Sequence, residues 1–434
     1  NSQQLAWGVM LLSFAVFCAI LIIVIVGVQY FLFQSRIPLR SVVNVSRGTV
    51  TLTDSDLNQT AVTKSDEMSY GTSVTTDTQS QASLSFVDAQ RDNQLVASVT
   101  IENGASFNLK QDSRPRFDLS TDAPYWLDFR DVYGEFDVFV PDQITRPILI
   151  SFATTLGPSA RLTTSGHYTV IAVGDQVRVV NYAGGALLST NDSNKMVPAG
   201  QTASISPTND QFTLAPLTNL LGEATFTPDN VIDVSTNPEL FKPLAWRCNN
   251  LQDDGQPIGS FGLMNSDGRP VLHLFRGDNA ESHGETFCVQ GFGTGVGLDL
   301  SQYSSVSIRA TFKIHSQSLS TCGTQGSECP LMLKMDYLPK SGGDLVTWYH
   351  GFYAAVDPSR FYPLNCLGCD QHEKINPDVW YTYDSHNFFE TFTPESIPQS
   401  IFNLKFYASG HQYDVDVSQV ALLVDQVAIP LTGG

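Results

Sequence analysis

The run "SGHYTVIAVGDQVRVVNYAGGALLST", from Ser165 to Thr190, alternates apolar and polar residues and is rich in β-branched side chains. A period of two places successive side chains on opposite faces of a strand. Gly166 opens one such strand, a second passes through Val177–Val180, and Gly184-Gly185 closes it with a turn. The same grammar spreads outward from this stretch. It recurs at 41–54 ("SVVNVSRGTVTLTD"), 95–101 ("LVASVTI"), 136–140 ("FDVFV"), 148–156 ("ILISFATTL") and 197–205 ("VPAGQTASI"). Beyond residue 226 it returns in eight further runs: "PVLHLFRG", "ETFCVQGF", "VSIRATFKI", "PLMLKMDY", "DLVTWYHGFYAAV", "VWYTYDS", "IFNLKFYAS" and "VSQVALLVDQVAI". Short alternating runs punctuated by Gly, Pro, Asn and Asp are the pattern of sandwiches and barrels, so the chain is predicted to be all-β. The count of runs in the second half fits two stacked antiparallel sheets of the jelly-roll kind.

One segment breaks the pattern. "LAWGVMLLSFAVFCAILIIVIVGV", Leu5 to Val28, carries no charge over its 24 residues. At ~1.5 Å per residue it makes about 36 Å of helix, enough to cross a ~30 Å hydrocarbon core with some tilt. Trp7 lies near one end and Tyr30, Phe31 and Phe33 at the other, where interfacial aromatic rings belong. It lacks the short apolar region and small-residue cleavage site of a secretory signal. A single-pass anchor within residues 1–36, meeting lipid through residues 5–33, is the expectation. Arg36, Arg40 and Arg47 follow the helix; taken alone, these would place the bulk of the chain in the cytoplasm. The cysteines argue the other way. Six of the seven lie in the soluble part at pairable spacings, which suits an oxidising compartment, and residues ahead of Asn1 would carry the deciding charges. The body is therefore expected on the extracytoplasmic side of a cell membrane.

The formal charge of −19, with only 24 Lys and Arg in 434 residues, excludes a phosphate-binding surface, so nucleic acid is not an expected partner. It also argues against adhesion to anionic lipid beyond the anchor. "SPTNDQFTLAPLTNLLGEATFTPDN" has three prolines and little periodicity, and a linker at 206–225 is predicted there. Each flanking region is long enough to own a core. Tyr125, Trp126, Phe129 and Tyr133 sit in a long aromatic stretch and are expected to pack in a core or a domain interface. Asn44, Asn58 and Asn191 head sequons in form, at a frequency a Ser/Thr/Asn-rich chain reaches by chance.

Two resemblances refine this. "GTSVTTDTQSQASLSFVD", and later "SGHYTVIAVGDQVRVVNYAGGALLST" with "AGQ" at Ala199–Gln201, resemble the opening and closing halves of the FecR family's extracytoplasmic β domain, over about 41–205. The middle, "RPRFDLSTDAPYWLDFRDVYGEFDVFV", departs from that family and reads as a second copy of the fold or an insertion. "GLDLSQYSSVSIRATFKI", "WYHGFY" and "FYASGHQYDVDVSQVALLVD" resemble the galactose-binding-like jelly-roll modules of bacterial surface proteins, over about 226–434. The resemblances imply a membrane-tethered sensor or scaffold carrying a carbohydrate-binding-like module, and they bring no catalytic residues.

Cys248–Cys288, Cys322–Cys329 and Cys366–Cys369 are the expected disulfides. The competing arrangement is a zinc site using Cys366 and Cys369 with His372, or the Cys322/Cys329 pair. Asp278, Glu281, His283 and Glu285 in "RGDNAESHGET" are candidates for calcium or a hydroxyl-rich ligand, against a solvated acidic loop. No cofactor is expected, unless calcium binds at this loop. No nucleophile elbow, zinc-protease motif or phosphate-cradling loop occurs. The expected function is thus that of a non-enzymatic, membrane-anchored accessory or structural subunit in a cell-envelope assembly, contacting other envelope or membrane proteins or a glycan. A FecR-type transmembrane signal transducer acting on a sigma factor is the alternative, and a carbohydrate-active enzyme the third.

Overall fold

A computed structural model describes residues 2–119, 122–190, 193–206, 211–240, 242–250, 255–277, 279–293 and 296–426. The chain is all-β after one long helix, Ser2–Phe33. Within it, Ala6–Phe33 is long and apolar enough to cross a membrane, and the most apolar stretch of that segment is left uncovered by the rest of the protein. Only its exit is held. Phe31 packs edge-on against Phe117 at 5.3 Å, and the Arg116 guanidinium lies over the Phe31 ring. Arg36 then donates to Ser113 and to the Pro124 carbonyl, so the β body begins within a few residues of the helix end.

Strands between Arg36 and Pro216 close into a barrel-like pair of sheets around a core drawn entirely from residues 39–205. Its spine is the 16-residue strand Tyr125–Val140. The N-terminal half of this strand pairs in parallel with Ile148–Ala153 and antiparallel with Ser106–Pro115, and its C-terminal half pairs with Gln94–Ile101 and Gly166–Val173. The stretch expected as a second copy or an insertion is therefore the element that joins the two sheets. Tyr125 and Phe129 are fully buried there, Phe129 stacking on Phe152 at 4.6 Å, whereas Tyr133 points outward and is exposed. The Gly184 turn appears where the sequence puts it. Gly184 has φ 113° and lies on the Tyr168 hydroxyl, leaving no room for a Cβ, while Gly185 N–H donates to that same hydroxyl.

The second region stacks two sheets over its own core, residues 221–424. One sheet runs Ser260–Ser266, Arg269–Arg276, Tyr413–Gln426, Tyr303–Gln317, Tyr381–Asp384; the other centres on Gly284–Gly291, Pro398–Gly410, Leu331–Pro339 and Val346–Tyr353. All eight predicted runs fall on these strands. Cys248 and Cys288 face each other across Trp246–Asn250 and Gly284–Gly291 and are joined, both fully buried.

The predicted linker at 206–225 differs from what is found. Gln211–Pro216 extends the first region's sheet by pairing with Gln201–Ser206, and Thr218–Asn219 pairs at once with Val424 and Leu423 of the second. The chain changes sheets across Leu217. Pro216 ends an edge strand, where its missing N–H costs nothing, so a proline there does not mark a linker.

The two regions meet over a built polar junction. The Gln81 side chain donates Nε2 to the Thr382 carbonyl and accepts the Thr382 N–H through Oε1, at 2.8 and 3.0 Å. It thereby caps the open edge of the strand Tyr381–Asp384, which would otherwise present unpaired backbone groups. Asn376 does the same in the opposite sense, giving its N–H to Ser46 O and its side-chain amide to Val45 O. Gln81→Ala should cost about 1–3 kcal/mol, since it orphans two buried groups of Thr382; a urea midpoint indistinguishable from wild type would contradict the cap.

Candidate ligand cleft at the junction

The junction's electrostatics come from opposite sides. The second region contributes Arg309, buried on Tyr303–Gln317, and Arg269, buried at the start of Arg269–Arg276. The first contributes the carboxylates of Glu102, Glu135 and Asp137. Arg309 reaches Glu135 at 2.6 Å, Asp137 at 3.2 Å and Glu102 at 3.8 Å, and Asp384 of its own region at 3.3 Å. Arg269 lies between the rings of Phe139 and Trp380, 4.2 and 4.9 Å from their centroids. Burial lowers the Arg269 pKa to about 10, partly offset by Asp137 and Asp267. Burial alone would raise Asp137, but His167 and then Arg309 and Arg269 outweigh it and hold the carboxyl far below its ordinary range. Glu102 goes the other way: burial pushes it well above the usual carboxylate value, with Arg309 only partly opposing.

Beside this network opens a cleft of about 300 Å3, walled by both regions. Arg47, Gln81, Glu102 and Glu135 come from the first; His350, Asp370, Glu373, Tyr381, Tyr383 and Asp384 come from the second. Period-two alternation explains the second set. In Val346–Tyr353, Trp348, His350 and Phe352 share the inward face, and His350 stacks on Tyr383 at 4.6 Å. Arg47 reaches across to Glu373 at 2.6 Å, and Tyr381 donates its hydroxyl to the same carboxylate. Burial would raise Glu373, yet His350, Arg47 and Tyr381 together lower it, so it is ionised. His350 is only 5% exposed; its Nε2 is 3.3 Å from Glu373 Oε1, and neither ring nitrogen makes a hydrogen bond of good geometry.

The residues singled out from sequence lie elsewhere. Asp278 falls outside the described residues, as does Asn191. Glu281 is exposed, His283 Nδ1 contacts Glu328 at 2.7 Å, and Glu285 is paired with Lys405 at 2.5 Å. Among the described residues these three are not gathered into any group able to hold a cation. The reason is local: Glu285 lies on a strand beside Lys405, and His283 turns toward the loop that Cys322 and Cys329 close.

The structure joins Cys322 to Cys329 and Cys366 to Cys369. His372 approaches both pairs. Its Nδ1 accepts from Gly351 N–H and its Nε2 donates to Gly326 O, and burial lowers its pKa. That neutral tautomer has no lone pair left for a metal, so His372 reads as a packed structural histidine.

Sequence reasoning missed the cleft. Its residues are scattered from 47 to 386, and only the "WYHGFY" alternation, which puts a histidine on an aromatic inward face, could have pointed to it.

The chain matches no protein-family profile and no curated protein. Among solved structures it is similar to a putative anti-sigma factor from Parabacteroides distasonis at 12% identity and TM-score 0.24, covering 33% of this chain and 59% of that one. It is also similar to the family 11 carbohydrate-binding module of a Clostridium thermocellum cellulosomal cellulase at 10% identity and TM-score 0.25, covering 49% of this chain and 96% of the module. An exo-beta-agarase is similar at 11% identity and TM-score 0.20, over 42% of this chain and 23% of the enzyme.

Proposed function

We propose that this chain is a single-pass, membrane-anchored protein whose β body stands on the extracytoplasmic side and acts by binding, as a non-enzymatic accessory or scaffolding subunit of a cell-envelope assembly. The observation that carries the reading is the bare helix Ala6–Phe33: an apolar surface of that length left uncovered by its own protein needs another covering, and a bilayer supplies it. Three joined cysteine pairs support the oxidising side. The junction cleft is the ligand-facing surface in this reading. Relay of an outer event through the helix, the transducer reading, is favoured by the short, pinned passage from Phe33 to Arg36, which would pass a tilt of the body directly to the helix.

Protease added to intact cells or spheroplasts is expected to digest residues beyond Arg40. Protection of the body until the membrane is opened would overturn the placement.

A further inference from the structure

We infer that the hollow beside the helix exit holds the headgroup of an anionic phospholipid from the leaflet in which the helix ends. The inference rests on the membrane-anchor reading above and adds the lipid chemistry selected at the anchor's exit.

Depth comes first. The apolar segment Ala6–Phe33 has 28 residues, so at ~1.5 Å each it spans about 42 Å. That matches the ~40–45 Å of a bilayer with its headgroups, which puts the last helical turn at the level of the lipid phosphates. The β body is pinned to that turn. Phe117 packs on Phe31, and the Arg116 guanidinium lies 5.6 Å from the centre of the same ring. A hollow of about 360 Å3 opens just beyond, lined by Arg36, Ile37, Pro38, Tyr70, Lys110 and the buried Asp112 among others. Tyr70 is exposed there, a ring type that settles at bilayer interfaces.

The second observation is the state of Arg36. Its Nε donates to the Ser113 hydroxyl at 2.8 Å, and its Nη2 to the Ser113 and Pro124 carbonyls at 3.2 and 2.5 Å. The Trp126 ring lies 5.7 Å from the guanidinium. These neutral partners fix the group without neutralising it, and Nη1 has no hydrogen-bond partner among the described residues. The charged group that acts on it is another cation: burial, then Arg146, lowers the Arg36 pKa. Lys110 and Arg116 are exposed and, like Arg36, make no ion pair among the described residues. Other cations of this face have found a carboxylate, Arg91, Arg114 and Arg146 converging on Asp118. Asp112 accepts from the Ser41 hydroxyl and is the one acidic residue on the wall. In a chain of formal charge −19, a wall with two cations and one carboxylate reverses the overall sign.

A phosphodiester supplies what is missing: negative charge, and acceptor oxygens for a guanidinium and an ammonium. A choline or ethanolamine headgroup adds a cation that Arg36 and Lys110 repel, so a headgroup of net negative charge is favoured. Free phosphate offers the same acceptors but not the acyl chains that pack beside an apolar helix, and the depth of the hollow selects the lipid.

The test is native mass spectrometry of the full chain in a neutral maltoside detergent, titrated with phosphatidylglycerol or with phosphatidylcholine. Phosphatidylglycerol should be retained about tenfold more tightly than phosphatidylcholine, the preference shrinking as salt is raised. Lys110→Gln should reduce the preference about fivefold, and Arg36→Gln together with Lys110→Gln should abolish it. Lys110 is exposed, so its variant keeps the test intact if loss of the Arg36 hydrogen bonds disturbs folding. Arg360→Gln, which removes an exposed charge of the second region, should leave the preference unchanged. Equal retention of the two lipids would overturn the proposal, as would an unaltered preference in Lys110→Gln. An equal loss in Arg360→Gln would reduce the effect to net charge and overturn it too. Displacement of the lipid by inorganic phosphate would make this a free-anion site and overturn the lipid assignment. These outcomes leave the anchor standing, whereas a chain that stays dispersed in buffer without detergent or lipid would overturn the anchor and this site together.

Discussion

Arg309→Met should destabilise the folded chain by about 3–5 kcal/mol, the range seen when one partner of a buried ion cluster is removed. The guanidinium is buried among Glu135, Asp137, Asp384 and Glu102, and methionine would leave Asp137, fully buried, with the His167 ring at 2.8 Å as its nearest remaining partner. The loss should depend on pH. Asp137 has a folded pKa below its unfolded value of ~3.9, so its contribution is present above that pH and is lost as pH falls below it. Glu102 has a folded pKa raised above its unfolded ~4.3, so its effect is most favourable below that value and declines as pH rises through the folded pKa. Removing the cation that restrains Glu102 raises it further. Urea midpoints should therefore show a larger deficit for the variant at about pH 8 than at about pH 5. A pH-independent deficit below ~1 kcal/mol would mean the cluster is hydrated and weak.

Removal of the Cys248–Cys288 link should cost about 4 kcal/mol on chain-entropy grounds, because it closes a loop of 40 residues. Both sulfurs are fully buried in the core of the second region, Trp246 being a neighbour on the same strand, so Cys248→Ala with Cys288→Ala is the cleaner variant than serine, which would add buried hydroxyls. The Cys322–Cys329 loop spans only 7 residues, and its double substitution should loosen the loop and lower stability by less. Thermal unfolding of the two double variants side by side reads the difference. Equal losses would show that the short clasp carries more than local shape.

The strands were legible because their faces see different surroundings, so a period of two survives in the sequence. Val177, Val179, Ala203 and Ile205 read inward and are buried. The spine Tyr125–Val140 was legible only at its end, 136–140. Upstream, Asp128 and Gly134 interrupt the apolar pattern, and the partner that explains Asp137 lies far along the chain: it meets Arg309 across 172 residues. A polar residue placed for a distant partner looks, in one dimension, like a loop. The same holds for the cleft. Gln81 and Thr382 lie 301 residues apart, and neither residue type announces that one will cap the other's strand edge. Glu285 shows the converse: beside Glu281 and His283 in sequence, it is paired in space with Lys405, 120 residues away.

The claim on which the cleft depends is that the two β regions form one body whose junction is part of the folded structure. Hydrogen exchange of the Thr382 amide tests it most directly. Thr382 sits on an edge strand of its own sheet, and its N–H donates to the Gln81 side chain of the other region. Protection of that amide approaching that of the central strand Tyr413–Gln426, and its collapse in Gln81→Ala, is the predicted result. Exchange as fast as that of a solvent-exposed edge strand in the wild-type chain would contradict it.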